Sequence, residues 1–254
     1  MTMDSVRFEN GRRILGCYLP AGDPAALPDQ AQIYLESGVD FIEFGLPCAD
    51  PFLDGGIIKA AMTRACNAGI SLERIRQQLM ETRAIFQGKP IVVVSYGNFD
   101  LPGLCNGDGE ALFDAHLDLS DLPATRNRAG FSGAGFPTLP SVGFVSNDMG
   151  VEEIEGAREA CGYVLLQAAP GKTGPRPTLD AENRNKIKML RASGIGVPIL
   201  LAIGISTVGQ VSSAIELGAD GVIIGTCCLV ESGKGAAALR EFLVQVRCAL
   251  DAAG

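Results

Sequence analysis

Residues 41–56 read FIEFGLPCADPFLDGG. The opening Phe41–Phe44 is a short apolar, β-rich run. Successive side chains on a strand face opposite sides, so Ile42 and Phe44 share one face and Glu43 takes the other. A carboxylate inside such a run is costly unless it is paired, reached by solvent at a site mouth, or held with a raised pKa. The residues that follow, with Pro47, Pro51, Gly55 and Gly56, are too rich in turn formers for helix or strand. They carry Asp50 and Asp54, either of which alone reads as an ordinary turn aspartate.

The same unit of strand, loop and helix recurs on both sides of this stretch. Strands are expected near Ile14–Tyr18, Phe41–Phe44, Ile91–Ser95, Leu117–Leu119, Val142–Val145, Tyr163–Gln167, Ile199–Ile203 and Val222–Ile224. Amphipathic helical segments lie between them at Asp29–Ser37, Leu72–Phe86, Val151–Ala160, Ala181–Ala192, Val208–Leu217 and Ala236–Ala252. Eight β/α repeats in 254 residues favour an α/β fold, a single (β/α)8 TIM barrel spanning 1–254, over an open doubly wound sheet. The barrel is expected to be irregular around its third to fifth strands. Leu101–Pro140 holds four prolines and the glycine cluster Gly130–Gly135, and no convincing helix follows the fourth strand. In such barrels chemistry sits on the loops after the strands, so Glu43 is expected to point into the barrel with Asp50 and Asp54 at its mouth.

Composition excludes several classes of function. A formal net charge of -8 argues against nucleic acid or an anionic membrane as partner, since phosphate-binding surfaces are normally basic. The eight cysteines are scattered without a CxxC pair and His116 is the one histidine, so no metal site is expected and free buried thiols are. The charged N-terminus MTMDSVRFENGRR has no apolar stretch of a signal peptide. The longest apolar run, Val197–Ile203, is too short to span a bilayer. These features predict a soluble cytoplasmic protein.

Glycine loops recur after the last three expected strands: GKTG at Gly171–Gly174, then Gly204, then Gly225. Backbone N–H groups there can approach a phosphate whatever the net charge, aided by a helix N-terminus. Lys172 is not the lysine of a nucleotide P-loop, because that motif needs a glycine where Leu166 stands.

EFGLPCADPFLDGG, preceded by YLPAGDP at Tyr18–Pro24 and GVDFI at Gly38–Ile42, resembles the signature of tryptophan synthase alpha subunits. SYGN at Ser95–Asn98, DLP at Asp121–Pro123, GKTG, GIS at Gly204–Ser206 and GADGVIIGT at Gly218–Thr226 follow in the family's order, so the resemblance covers nearly the whole chain. It implies a cofactor-free carbon–carbon lyase of tryptophan biosynthesis that cleaves indole-3-glycerol phosphate by retro-aldol chemistry to indole and glyceraldehyde 3-phosphate. It implies Glu43 and Asp54 as the catalytic pair, with Glu43 moving protons and Asp54 accepting the indole N–H. It further implies Tyr18, Tyr96, Asp121, Leu165 and Ile203 at the substrate, and Gly174, Gly204, Gly225 and Thr226 at its phosphate. The partner implied is a tryptophan synthase beta subunit in an alpha2beta2 assembly, docked near Pro47–Gly56, although the stretch after the third strand is shorter than the family's.

Several positions depart from the pattern. Leu165 stands where the family commonly has a tyrosine. Tyr163 points the same way but is displaced along the strand by about 6–7 Å, which leaves its reach into the site open. Ala202 and Ile203 replace glycine and phenylalanine, Cys48 an aromatic and Gly56 a proline. Two other readings therefore stand beside the first: a lyase of specialised metabolism acting on another aryl-glycerol phosphate, and a non-catalytic activating partner subunit.

Overall fold

The computed structural model describes residues 6–9, 11–97, 99–119 and 140–253. Strands and helices alternate: β1 (Ile14–Pro20), α1 (Gln30–Glu36), β2 (Phe41–Gly45), α2 (Gly56–Asn67), α3 (Leu72–Ile85), β3 (Ile91–Ser95), β4 (Ala115–Asp118), β5 (Gly143–Val145), α4 (Val151–Ala157), β6 (Val164–Gln167), α5 (Asn183–Ala192), β7 (Ile199–Ala202), α6 (Val208–Glu216), β8 (Gly221–Ile224), α7 (Thr226–Lys234) and α8 (Ala236–Ala252). A short 3-10 turn at Leu101–Leu104 follows β3.

All neighbouring strands pair in parallel, in the order β4-β3-β2-β1-β8-β7-β6-β5. Among the described residues the two ends meet through a single bridge, His116 with Ser141, in which the His116 N–H donates to the Pro140 carbonyl (3.0 Å) and the Val142 N–H to the His116 carbonyl (3.2 Å). The expected irregularity is thus a thin seam between β4 and β5, while β3 pairs regularly on both sides. Residues 120–139, with Asp121 and the Gly130–Gly135 cluster, lie outside the described residues.

Alternation along the strands builds two cores. Ile42 and Phe44 of β2 join Leu15, Val93, Val164 and Leu201 in a layer between barrel and helices. Phe41 joins Val92, Val94, Leu165, Leu200 and Ile223 inside the barrel. At its lower end the rings of Phe41 and Tyr163 lie 4.9 Å apart, with Phe8 5.5 Å from Phe41. This aromatic layer floors the interior and leaves the space above it for the site.

Five sequence expectations need correction or completion. β4 lies at Ala115–Asp118 rather than Leu117–Leu119, because its register follows Val92–Ser95 of β3. Helices α2 and α7 were not among the expected segments; both begin directly at glycine loops, at Gly55 and Gly225, where turn formers mask the helix start. Helix α4 stops at Ala157, three residues early, and β7 stops before Ile203, whose φ of 64° cannot continue a strand. The cysteines are free among the described residues but not uniformly buried: Cys17, Cys105 and Cys228 are, whereas Cys66 and Cys248 are exposed.

Candidate active site

Strand β2 carries Glu43 into the barrel, in register with Tyr18 of β1 and Val92 of β3. The side chain is buried. Beneath it, Tyr163 reaches up from the aromatic floor and its Oη donates to Glu43 Oε1 at 2.8 Å. Burial pushes the Glu43 pKa from 4.5 up to about 7; the Tyr163 bond opposes the rise, and the charge of Asp54 adds to it. Desolvation penalises the ionised form, and a single phenol donor does not offset it. At neutral pH this carboxyl exchanges its proton with little bias either way.

Asp54 sits in the β2–α2 loop, one residue before Gly55 caps α2. It is also buried, but differently dressed. Tyr96 Oη donates to its Oδ2 at 2.7 Å and Thr173 Oγ1 to its Oδ1 at 3.1 Å. Burial raises its pKa, while Tyr96, Thr173 and the charge of Lys172 hold it down. The Thr173 contact is part of a two-way clasp between the loops after β2 and β6. The Thr173 N–H donates to the Leu53 carbonyl and the Gly55 N–H donates to Thr173 Oγ1, each at 2.8 Å. Gly55 is required by this approach, because a Cβ there would stand 2.0 Å from the Thr173 carbonyl oxygen. Asp50 is instead exposed, and among the described residues it pairs with Lys59, at 3.4 Å. The fold therefore separates two aspartates that looked alike in the sequence.

Between the carboxylates lies an apolar cavity whose walls include Leu117, Phe144, Leu165, Ile203 and Ile223, with Tyr18 and Tyr96 on the side of Asp54. Ile203 and Gly204 both have positive φ, 64° and 105°. A β-branched residue in the left-handed region is strained, and such strain clusters at ligand sites. The loops after β6, β7 and β8 are tied together beside it: the Arg176 carbonyl accepts from Gln210 Nε2 (2.7 Å), and Cys227 Sγ donates to the Ser206 carbonyl (3.4 Å). Gly225 caps α7, with Thr226 in its first turn, so Gly204, Gly225 and a helix N-terminus share this end. His116 instead bonds Ser95 (2.9 Å) and is not part of the cavity wall. Asp121 and Asn98 fall outside the described residues.

The profile of the family described as tryptophan synthase alpha chain matches residues 6–251. The chain belongs to the tryptophan synthase alpha chain family. The alpha chain of Geobacter sulfurreducens is 32% identical over 228 residues, covering 85% of this chain and 83% of that one. That of Prochlorococcus marinus is 31% identical over 250 residues, covering 92% and 88%. Among solved structures, the alpha subunit from Legionella pneumophila str. Paris superposes with a TM-score of 0.75 at 23% identity, covering 96% of this chain and 94% of that chain. Mycobacterium tuberculosis tryptophan synthase gives 0.75 at 21%, covering 94% and 93%, a likeness of fold.

Against the family pattern, two residues gain a place that sequence reasoning did not assign. Tyr163 reaches Glu43 because Glu43 lies low enough in the barrel for a ring from the layer beneath to span the gap. Thr173 was quoted only as part of GKTG; the signal for it is the need of a buried carboxylate for donors, which the sequence near Asp54 does not supply. Leu165, in the family's tyrosine position, lines the cavity as an apolar wall. Among the described residues no helix is long and apolar enough to cross a membrane, and no cluster of three or more metal-ligating side chains occurs.

Proposed function

We propose that Glu43 and Asp54 carry out the family's reaction, retro-aldol cleavage of indole-3-glycerol phosphate to indole and glyceraldehyde 3-phosphate in tryptophan biosynthesis. The observation that carries this reading is the pair itself: two buried carboxylates on one strand and its loop, held in unlike surroundings across one cavity. Indole leaves only after C3 of the ring is protonated, and the carbinol hydroxyl must lose its proton as the carbon–carbon bond breaks. Glu43, with a pKa raised to about 7, suits both transfers: its protonated form gives a proton to C3, and the resulting carboxylate takes the hydroxyl proton. The proton is thereby returned to Glu43 and the cycle closes. Asp54, whose ionised form two hydroxyl donors and the Lys172 charge favour against the burial that raises its pKa, accepts the ring N–H and stabilises the positive charge that grows on the nitrogen.

The phosphate is assigned to backbone N–H groups at Gly174, Gly204 and Gly225 with Thr226 at the start of α7, and the ring to the walls formed by Tyr18, Tyr96, Leu165 and Ile203. A tryptophan synthase beta subunit is the proposed partner, docked where Phe52 and Ile57 leave 37% and 39% of their surface exposed beside the Asp54 loop. Free thiols fit work in a reducing cytoplasm. A related aryl-glycerol phosphate is the second reading, favoured by the apolar wall that Leu165 makes.

Purified protein incubated with indole-3-glycerol phosphate, with and without a beta subunit, is expected to release indole. No indole under either condition overturns the proposal.

A further inference from the structure

Of the three side-chain hydroxyls among the described residues that line the cavity, two are committed to a carboxylate. Tyr96 and Thr173 donate to Asp54, and Tyr163 in the floor donates to Glu43. Tyr18 is the exception. Its ring packs between the cavity and helix α2, against Ile58 and Met62, and the residue is only 6% exposed. Its Oη is buried and has no hydrogen-bond partner among the described residues. The Tyr18 carbonyl accepts from Tyr34 Oη at 2.8 Å, which fixes the backbone from which the packed ring projects.

The position of this hydroxyl is set by Gly45. A Cβ on Gly45 would stand 2.1 Å from Tyr18 Oη, so the phenol lies directly over the β2 backbone. Gly45 follows Glu43 by two residues and shares its interior face, which puts Tyr18 Oη one strand step, about 6–7 Å, nearer the mouth than Glu43. A buried hydroxyl without a partner is destabilising, and an apolar side chain of the same shape removes that cost. The sequence instead keeps a phenol there and an empty side chain at position 45 to make room for it.

Resting on the substrate proposed above, its polar groups are assigned one by one: ring N–H to Asp54, phosphate to the glycine loops, carbinol hydroxyl to Glu43. What remains on the substrate is the oxygen chemistry of its glycerol chain, and what remains among the described side-chain hydroxyls of the cavity wall is one uncommitted donor. We propose that Tyr18 is a specificity-determining residue whose hydroxyl donates a hydrogen bond to a glycerol hydroxyl oxygen of the substrate. It distinguishes a hydroxylated aryl-glycerol phosphate from an aryl-alkyl phosphate of the same length and charge.

The test pairs Tyr18→Phe with two ligands, indole-3-glycerol phosphate and indole-3-propyl phosphate, which keeps ring and phosphate but lacks both hydroxyls. Tyr18→Phe is expected to lower kcat/KM for the glycerol phosphate by roughly three- to tenfold, the worth of one hydrogen bond. Calorimetric affinity for the propyl phosphate is expected to stay unchanged, and Tm without ligand to stay equal or rise, which a packing role alone would not produce. An unchanged kcat/KM, or an equal loss of affinity for both ligands, overturns the proposal. If the wild-type protein cleaves nothing, the catalytic reading fails by itself, and the ratio of the two calorimetric affinities in wild type against Tyr18→Phe still decides the role of Tyr18.

Discussion

Glu43 and Asp54 lie on one strand and its following loop, are equally buried, and belong to the same cavity, yet their surroundings differ in a way that divides the chemistry. Glu43 rises from the barrel floor with one phenol donor, and desolvation carries its pKa to about 7. Asp54 sits at the mouth under two hydroxyls and near a lysine, which oppose the same desolvation. The lesson is that burial alone does not make an acid. The donors that accompany the carboxylate set how far burial raises its pKa, and in this barrel they come from the two ends of β6 and from the loop after β3.

The largest expected effect comes from removing the proton carrier. Glu43→Gln keeps the shape and an acceptor for Tyr163, and should lower kcat for indole release by on the order of 10²–10⁴-fold with a modest change in KM. Full activity in that variant would break the division of roles outright. Asp54→Asn should cost on the order of 10²-fold in kcat, the loss of one charge aimed at developing positive charge. A change confined to KM would instead assign Asp54 to ground-state binding.

The contrast also shows in stability. A group whose pKa is raised on folding contributes stability that is complete below its unfolded value and lost as pH rises through the folded one. For Glu43 the window runs from 4.5 to about 7, so unfolding by urea should show the wild type losing about 3 kcal/mol relative to Glu43→Gln between pH 4.5 and 8. Parallel curves for the two proteins would contradict the buried, proton-holding state of Glu43. The smallest effect expected is in Thr173→Val, which removes one donor from Asp54 and opens the clasp with Gly55. A rise in KM of roughly three- to tenfold is expected from steady-state kinetics, the scale of one or two hydrogen bonds.

Much of this was legible in the sequence because alternation along a strand is a strong physical constraint. Glu43 is placed inside the barrel by its neighbours Ile42 and Phe44, which need the apolar layer under the helices. The repeat of short β-rich runs and amphipathic segments was enough for the closed α/β architecture. What the sequence hid are relations across the barrel. Tyr163 and Thr173 lie 120 and 119 residues from the carboxylates they serve, and nothing local announces a donor arriving from the opposite side. Helices α2 and α7 were hidden for another reason. Each starts at a glycine loop that the site needs, so local turn chemistry outweighs helical periodicity at the boundary. Turn context alone did not separate Asp50 from Asp54; the family resemblance chose Asp54, its burial supplies the physical reason, and the place of Asp121 lies beyond the described residues.

The central claim, that the two carboxyls are governed by separate sets of donors, is tested most directly by the pH dependence of kcat/KM for indole-3-glycerol phosphate in wild type, Tyr163→Phe and Tyr96→Phe. The wild-type profile is expected to be bell-shaped, with an alkaline limb near 7 as Glu43 loses its proton and an acid limb as Asp54 gains one. Tyr163→Phe, which removes the bond that lowers the Glu43 pKa, should move only the alkaline limb to higher pH. Tyr96→Phe should move only the acid limb upward. An alkaline limb that stays fixed in Tyr163→Phe, or moves in Tyr96→Phe instead, would contradict the account.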